Sequence, residues 1–170
     1  MTRFGILALA STFAVAAAPL RAQQAPAGVR GEILAQFDEA ADKLVQLAEA
    51  IPQDKFTWRP GAGVRSVSEV FLHVAGSNHY MLTAVGVPAA TQGENDLERS
   101  TTDKAQIIAQ LKAANASVRA AIQAMRDADL DKATRGVCLL LQSHVHEHLG
   151  QMIAYARTNG IVPPWSQSGQ

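Results

Sequence analysis

Three of the five histidines in the chain fall within the stretch Ser143-His144-Val145-His146-Glu147-His148-Leu149-Gly150. On a helix that turns about 100° per residue, His144 and His148 lie about 40° apart, while His146 points almost directly away from them. Two imidazoles at i and i+4 offer two nitrogens to one metal ion, and a third ligand has to come from elsewhere. Neutral imidazole suits zinc, nickel, copper or iron. Three such ligands leave one coordination position for water, the arrangement of a catalytic rather than a structural site. The alternative is that the histidines are simply packed and hydrogen-bonded. Glu147 lies about 60° from His144 and about 100° from His148 around the helix, so it reads as a candidate general base or as a solvated residue on the helix flank.

Few other residue types invite chemistry. Cys138 is the only cysteine. No internal disulfide can form, and its neighbours Val137, Leu139, Leu140 and Leu141 mark it as a buried, inert thiol rather than a nucleophile. Trp58 and Trp165 read as packing residues. Arg59 reads either as a contact for an anionic substrate or as a surface charge, and Asn78 as a weaker candidate for a pocket wall.

The histidine pair needs a helix to hold it. The apolar positions Val137, Leu140, Leu141, Met152 and Tyr155 recur at spacings of three and four, which predicts a last helix from about Thr134 through Arg157, stopped by Asn159-Gly160 and Pro163-Pro164. Upstream, Gly31 to Ala50 carries Ile33, Leu34, Phe37, Ala41, Leu44 and Leu47 in the same rhythm and ends at Pro52, giving a first helix. Residues 51–63 form an ordered connection with Phe56 and Trp58 tucked inward. Ser66 with Glu69 is a capping-box pattern that opens a second helix, closed by Gly86 and Pro88. His73 lies in that helix near its apolar stripe and supplies a third nitrogen if the second and last helices are antiparallel neighbours, whereas His79, about 120° away, is expected to be exposed. Pro88 to Ser100 reads as a loop, and Thr102 and Asp103 begin a third helix that runs through Met125 and frays near Asp127-Ala128-Asp129.

No strand-like alternation interrupts this series, so the fold class is all-α: a four-helix bundle with a metal site between helices 2 and 4. A chain of 170 residues, 48% hydrophobic and 18% charged, suits one globular domain. The formal charge is zero. With no basic stripe interleaved with aromatics, nucleic acid is excluded as a partner. Residues 1–22 pair Arg3 with an almost unbroken apolar run from Phe4 to Ala18, which reads as a signal peptide leaving a domain at 23–170. The expected location is therefore periplasmic or secreted. No membrane attachment remains after cleavage, because the apolar run is short for a span and no cysteine follows it for a lipid anchor.

These residues together resemble the DinB-like superfamily of metal-binding helical bundles. The likeness rests on His73 combined with His144, His148, Gly150 and Gln151, on Trp58-Arg59-Pro60 followed by Gly63 to Val70, and on Ile153 to Arg157. It implies a divalent ion, zinc or nickel, held by His73, His144 and His148, and a homodimer. Glu147 and Leu149 stand where many relatives have His and Arg. Better characterised relatives transfer or isomerise small thiol conjugates in the cytoplasm, a pool an exported chain does not meet. Two functional classes follow: a metal-dependent hydrolase or transferase acting on a small molecule, or a non-catalytic metal-binding or structural bundle.

Overall fold

The computed structural model describes residues 28–88, 94–126, 128, 130 and 132–169, so the expected signal peptide at 1–22 lies outside the described residues. Helix α1 (Val29–Ala50) buries Ile33, Leu34, Phe37, Leu44 and Leu47, the period expected from the sequence. Each such side chain contributes about 1.5–3 kcal/mol by leaving water. Ile51 turns extended, and Pro52 keeps the chain from resuming the helix. The connection is ordered as expected: a 3₁₀ turn (Gln53–Lys55), a fully buried Phe56, and Trp58 set edge-on against Tyr155 with ring centroids 5.2 Å apart.

Helix α2 (Val67–Thr83) starts with both halves of the capping box: Ser66 Oγ accepts from the Glu69 amide at 3.3 Å, and a Glu69 carboxylate oxygen accepts from the Ser66 amide at 2.7 Å. The segment expected as a loop contains a short helix, α3 (Glu94–Glu98), which packs on α2 and buries Leu97 and Glu98. One apolar residue and one buried carboxylate leave too little periodicity to announce a single turn of helix. Helix α4 (Lys104–Ala124) is capped by Asp103, which accepts from the Gln106 amide at 2.8 Å.

Helix α5 (Lys132–Thr158) ends where Gly160 adopts φ +75°, a conformation open to glycine without strain. The Ile161 and Gly160 amides bond back to the Ala156 and Arg157 carbonyls, satisfying the helix end as a Schellman motif. The buried stripe on α5 is Cys138, Leu141, Val145, Met152 and Ala156, joined by Tyr155. Leu140, expected on that stripe, is instead 53% exposed. It sits about 100° from Leu141, so the face centred on Leu141 and Val145 turns it outward. Cys138 is fully buried, and desolvation pushes its thiol pKa up, away from the reactive thiolate.

Helices α1 and α2 each pack on both α4 and α5, forming an all-α four-helix bundle. Arg119 of α4 pairs with Asp38 of α1, and Lys112 with Glu49, so those two helices run in opposite directions. Helices α2 and α5 are likewise antiparallel: Arg65, just before α2, meets Tyr155, whereas His73 meets His144. One buried polar pair crosses the core, Asn78 Nδ2 donating to Asn115 Oδ1 at 3.1 Å. Asn78 thus stitches α2 to α4 inside the bundle. Among the described residues, no helix is long and apolar enough to cross a membrane.

Candidate metal centre

Because α2 and α5 run antiparallel, one turn of each can face the other, and His73 meets both histidines of the i, i+4 pair. One ring nitrogen from each of His73, His144 and His148 lies within 4.8 Å of the others. Ring centroids are 4.5 to 5.2 Å apart, and the Nε2 atoms of His73 and His144 are separated by 3.3 Å. Two nitrogens bound to one tetrahedral zinc at 2.0–2.1 Å are about 3.3 Å apart, so this spacing suits a shared ion. His146 is exposed, its Nδ1 2.8 Å from the Gln142 carbonyl oxygen, and His79 is half-buried outside the cluster. Glu147 is exposed.

The hydrogen bonds behind the rings determine which nitrogens point inward. Tyr155 Oη donates to the Arg65 carbonyl, which can only accept, at 3.2 Å. Its oxygen therefore accepts from Gln151 Nε2 at 3.0 Å, and that turns Gln151 Oε1 toward His148 Nδ1 at 2.8 Å. An amide oxygen demands a donor, so His148 carries its proton on Nδ1 and leaves Nε2 as a lone pair. On the other helix, His73 Nδ1 lies 3.4 Å from Glu98 Oε2, an electrostatic contact without hydrogen-bond geometry. Glu98 is itself held by Arg65, whose Nε donates to Oε1 at 2.9 Å. Both supporting chains therefore end on Arg65, one at its guanidinium and one at its carbonyl.

Electrostatics keeps His144 neutral. Burial, then the neighbouring His148 and His73, then Arg65, lower the His144 pKa to about 4 from its ordinary 6.5. Its Nδ1 is buried with no hydrogen-bond partner among the described residues. Three clustered imidazoles, backed by a carboxylate and an amide, are the donor set a divalent transition ion needs. These residues fit such an ion.

Sequence reasoning missed Glu98, the carboxylate that the fold brings to the imidazoles. Gln151 and Tyr155 had a readable signal, since positions three and seven after His148 share its side of the helix. Glu98 had none, because it arrives from a separate segment.

The fold and site define a helical bundle carrying a three-histidine cluster suited to a divalent ion. The family model described as the DinB superfamily matches residues 36–152, well over half of the chain, and the protein belongs to that family. Comparison with curated proteins and with solved structures gave no match.

Proposed function

We propose that the protein is an exported, metal-dependent enzyme, a hydrolase or transferase acting on a small molecule, with one divalent ion, zinc or nickel, held by His73, His144 and His148. The observation that carries this reading is the cluster itself: one ring nitrogen from each of His73, His144 and His148 lies within 4.8 Å of the others, and a directed hydrogen-bond chain through Gln151 and Tyr155 turns the His148 Nε2 lone pair inward.

His73, His144 and His148 would hold the ion, which when bound would supply Lewis acidity. The chain's own residues do the rest. Gln151 and Glu98 orient the imidazoles and raise their basicity, and Arg65 steadies both supports. Beside them lies a cleft of about 530 Å³ that Glu98 and Gln151 help to line, so a small molecule can approach within one side chain of the histidines. Family membership together with this cluster supports the metal. Export rests on the apolar leader of residues 4–18 alone.

Metal analysis of protein purified from its own compartment tests the reading. About one divalent ion per chain is expected; His148→Ala should strip it, and His146→Ala should not. Equal retention in both variants would remove the basis for the site. A screen of hydrolase and transferase substrates on the loaded protein then addresses the reaction, and N-terminal sequencing addresses export.

A further inference from the structure

The cleft beside the histidines is strongly charged. Three guanidinium groups, from Arg59, Arg65 and Arg99, share its lining with two carboxylates, Glu69 and Glu98. Both carboxylates are already engaged. Glu69 accepts from the Ser66 amide and pairs with Arg59 at 3.1 Å; Glu98 pairs with Arg65 and faces His73. Burial works against ionisation of Glu69, yet the Ser66 hydrogen bonds and Arg59 hold its pKa below the ordinary carboxylate value. Each carboxylate is thus taken up by one guanidinium of its own, and the lining keeps one guanidinium in excess.

That excess has an address. Arg99 is exposed and has no carboxylate partner among the described residues, and it follows Glu98 directly, so α3 sets it at the cleft wall. Arg59 donates one nitrogen to the Val64 carbonyl at 3.0 Å, which fixes its guanidinium at the same rim. A second cavity of about 230 Å³ also has Arg59 and Arg99 in its lining and adds the hydroxyl-bearing Thr57, Thr101 and Thr102. Guanidinium groups favour planar oxyanions through paired N–H bonds, and hydroxyls favour a polar, hydrogen-bonding body.

We propose that this cleft binds a small hydroxylated organic acid, its carboxylate anchored by Arg99 and Arg59 and its hydroxyls directed to the threonine-lined cavity. A single guanidinium without a carboxylate partner is matched by a monoanion, which favours a carboxylate over a doubly charged phosphate ester. The inference rests on the proposed function in that the acid lies against Glu98 and Gln151, the residues that steady the histidines.

Calorimetric titration of the mature protein with gluconate tests it, with sorbitol as the uncharged counterpart and glycerol 3-phosphate as the competing anion. Gluconate should bind saturably and more weakly as salt rises, and sorbitol should not bind. Arg99→Gln breaks no described ion pair, so it should fold normally and weaken gluconate at least tenfold, with Arg99→Lys intermediate. Arg119→Gln, remote on α4, should leave binding unchanged. A loss of less than threefold in Arg99→Gln, equal binding of sorbitol, or tighter binding of glycerol 3-phosphate would each overturn the proposal. Running the titration on zinc-loaded and chelated protein separates the two readings. Zinc uptake without gluconate binding refutes the acid site and spares the metal; Arg99-dependent gluconate binding in a protein that takes up no zinc does the reverse.

Discussion

Glu98→Gln isolates what a carboxylate behind a histidine contributes. The substitution keeps size and shape but removes a charge 3.4 Å from His73 Nδ1, and it breaks a bidentate role, since Glu98 accepts from Arg65 with one oxygen while facing His73 with the other. A glutamine has one acceptor and one donor end. Turned with its oxygen to Arg65 it presents an NH₂ instead of an oxygen to the His73 ring, and turned the other way its NH₂ opposes the guanidinium. Groups standing behind metal-ligating histidines contribute typically 10- to 100-fold in metal affinity, so the variant should lose about 1.4–2.7 kcal/mol of zinc binding. The stability of the metal-free protein should change less, by about 1 kcal/mol or under, because Arg65 is 42% exposed and the pair is screened. Competition titration against a chromophoric chelator reads the first quantity, and thermal melting in chelator reads the second. Affinity within threefold of the parent would refute the reasoning. A larger loss in Glu147→Gln than in Glu98→Gln would transfer the role to Glu147.

Three further outcomes follow from the same structure. Chelation should leave the helical circular dichroism intact, because the core is continuous without the ion; at free metal 100 times the Kd, binding adds about 2.7 kcal/mol, or roughly 5–10 °C in Tm, and loss of the helical signal at room temperature would contradict this. In chelated protein, stability should be complete above pH about 6.5 and decline toward pH 4: the unfolded chain takes up a proton at His144 that the folded chain refuses until its pKa of about 4. Allowing for partial exposure, the loss is on the order of 2 kcal/mol, and His144→Gln should flatten the slope in pH-dependent denaturant melts. Phe71→Ala, at a fully buried ring tilted against Phe56, should cost about 3–5 kcal/mol in urea unfolding, whereas Leu140→Ala at its exposed site should stay within about 0.5 kcal/mol.

Much of the fold was readable because each long helix carries its own instructions. Ser66 and Glu69 name the start of α2, Asp103 that of α4, and Gly160 the end of α5, and these signals act within a few residues. The facing of His144 against His146 follows from helical rotation alone. Local rules run out where a side chain is positioned by another segment. Leu140 satisfies a spacing rule, yet the packing of α5 on α1 and α2 selects the face centred on Leu141. Glu98 and Arg65 stand 33 residues apart, and nothing in either neighbourhood announces that they meet. The antiparallel meeting of α2 and α5 was a condition that the sequence could pose and only the packed bundle could satisfy.

The distance along the chain between His73 and His144, 71 residues, has a kinetic meaning. Contacts of such long separation are entropically late, forming after the helices and most of their packing are in place. An ion bridging them therefore has little to grip in the folding transition state and much to hold in the native state. Its stabilisation belongs to the unfolding rate: a loaded chain folds no faster than an empty one but opens more slowly. Under the proposed export, among proteases and without chaperones that use ATP, persistence of the closed state would matter more than speed of assembly, and the proposed centre would act as a latch as well as a site.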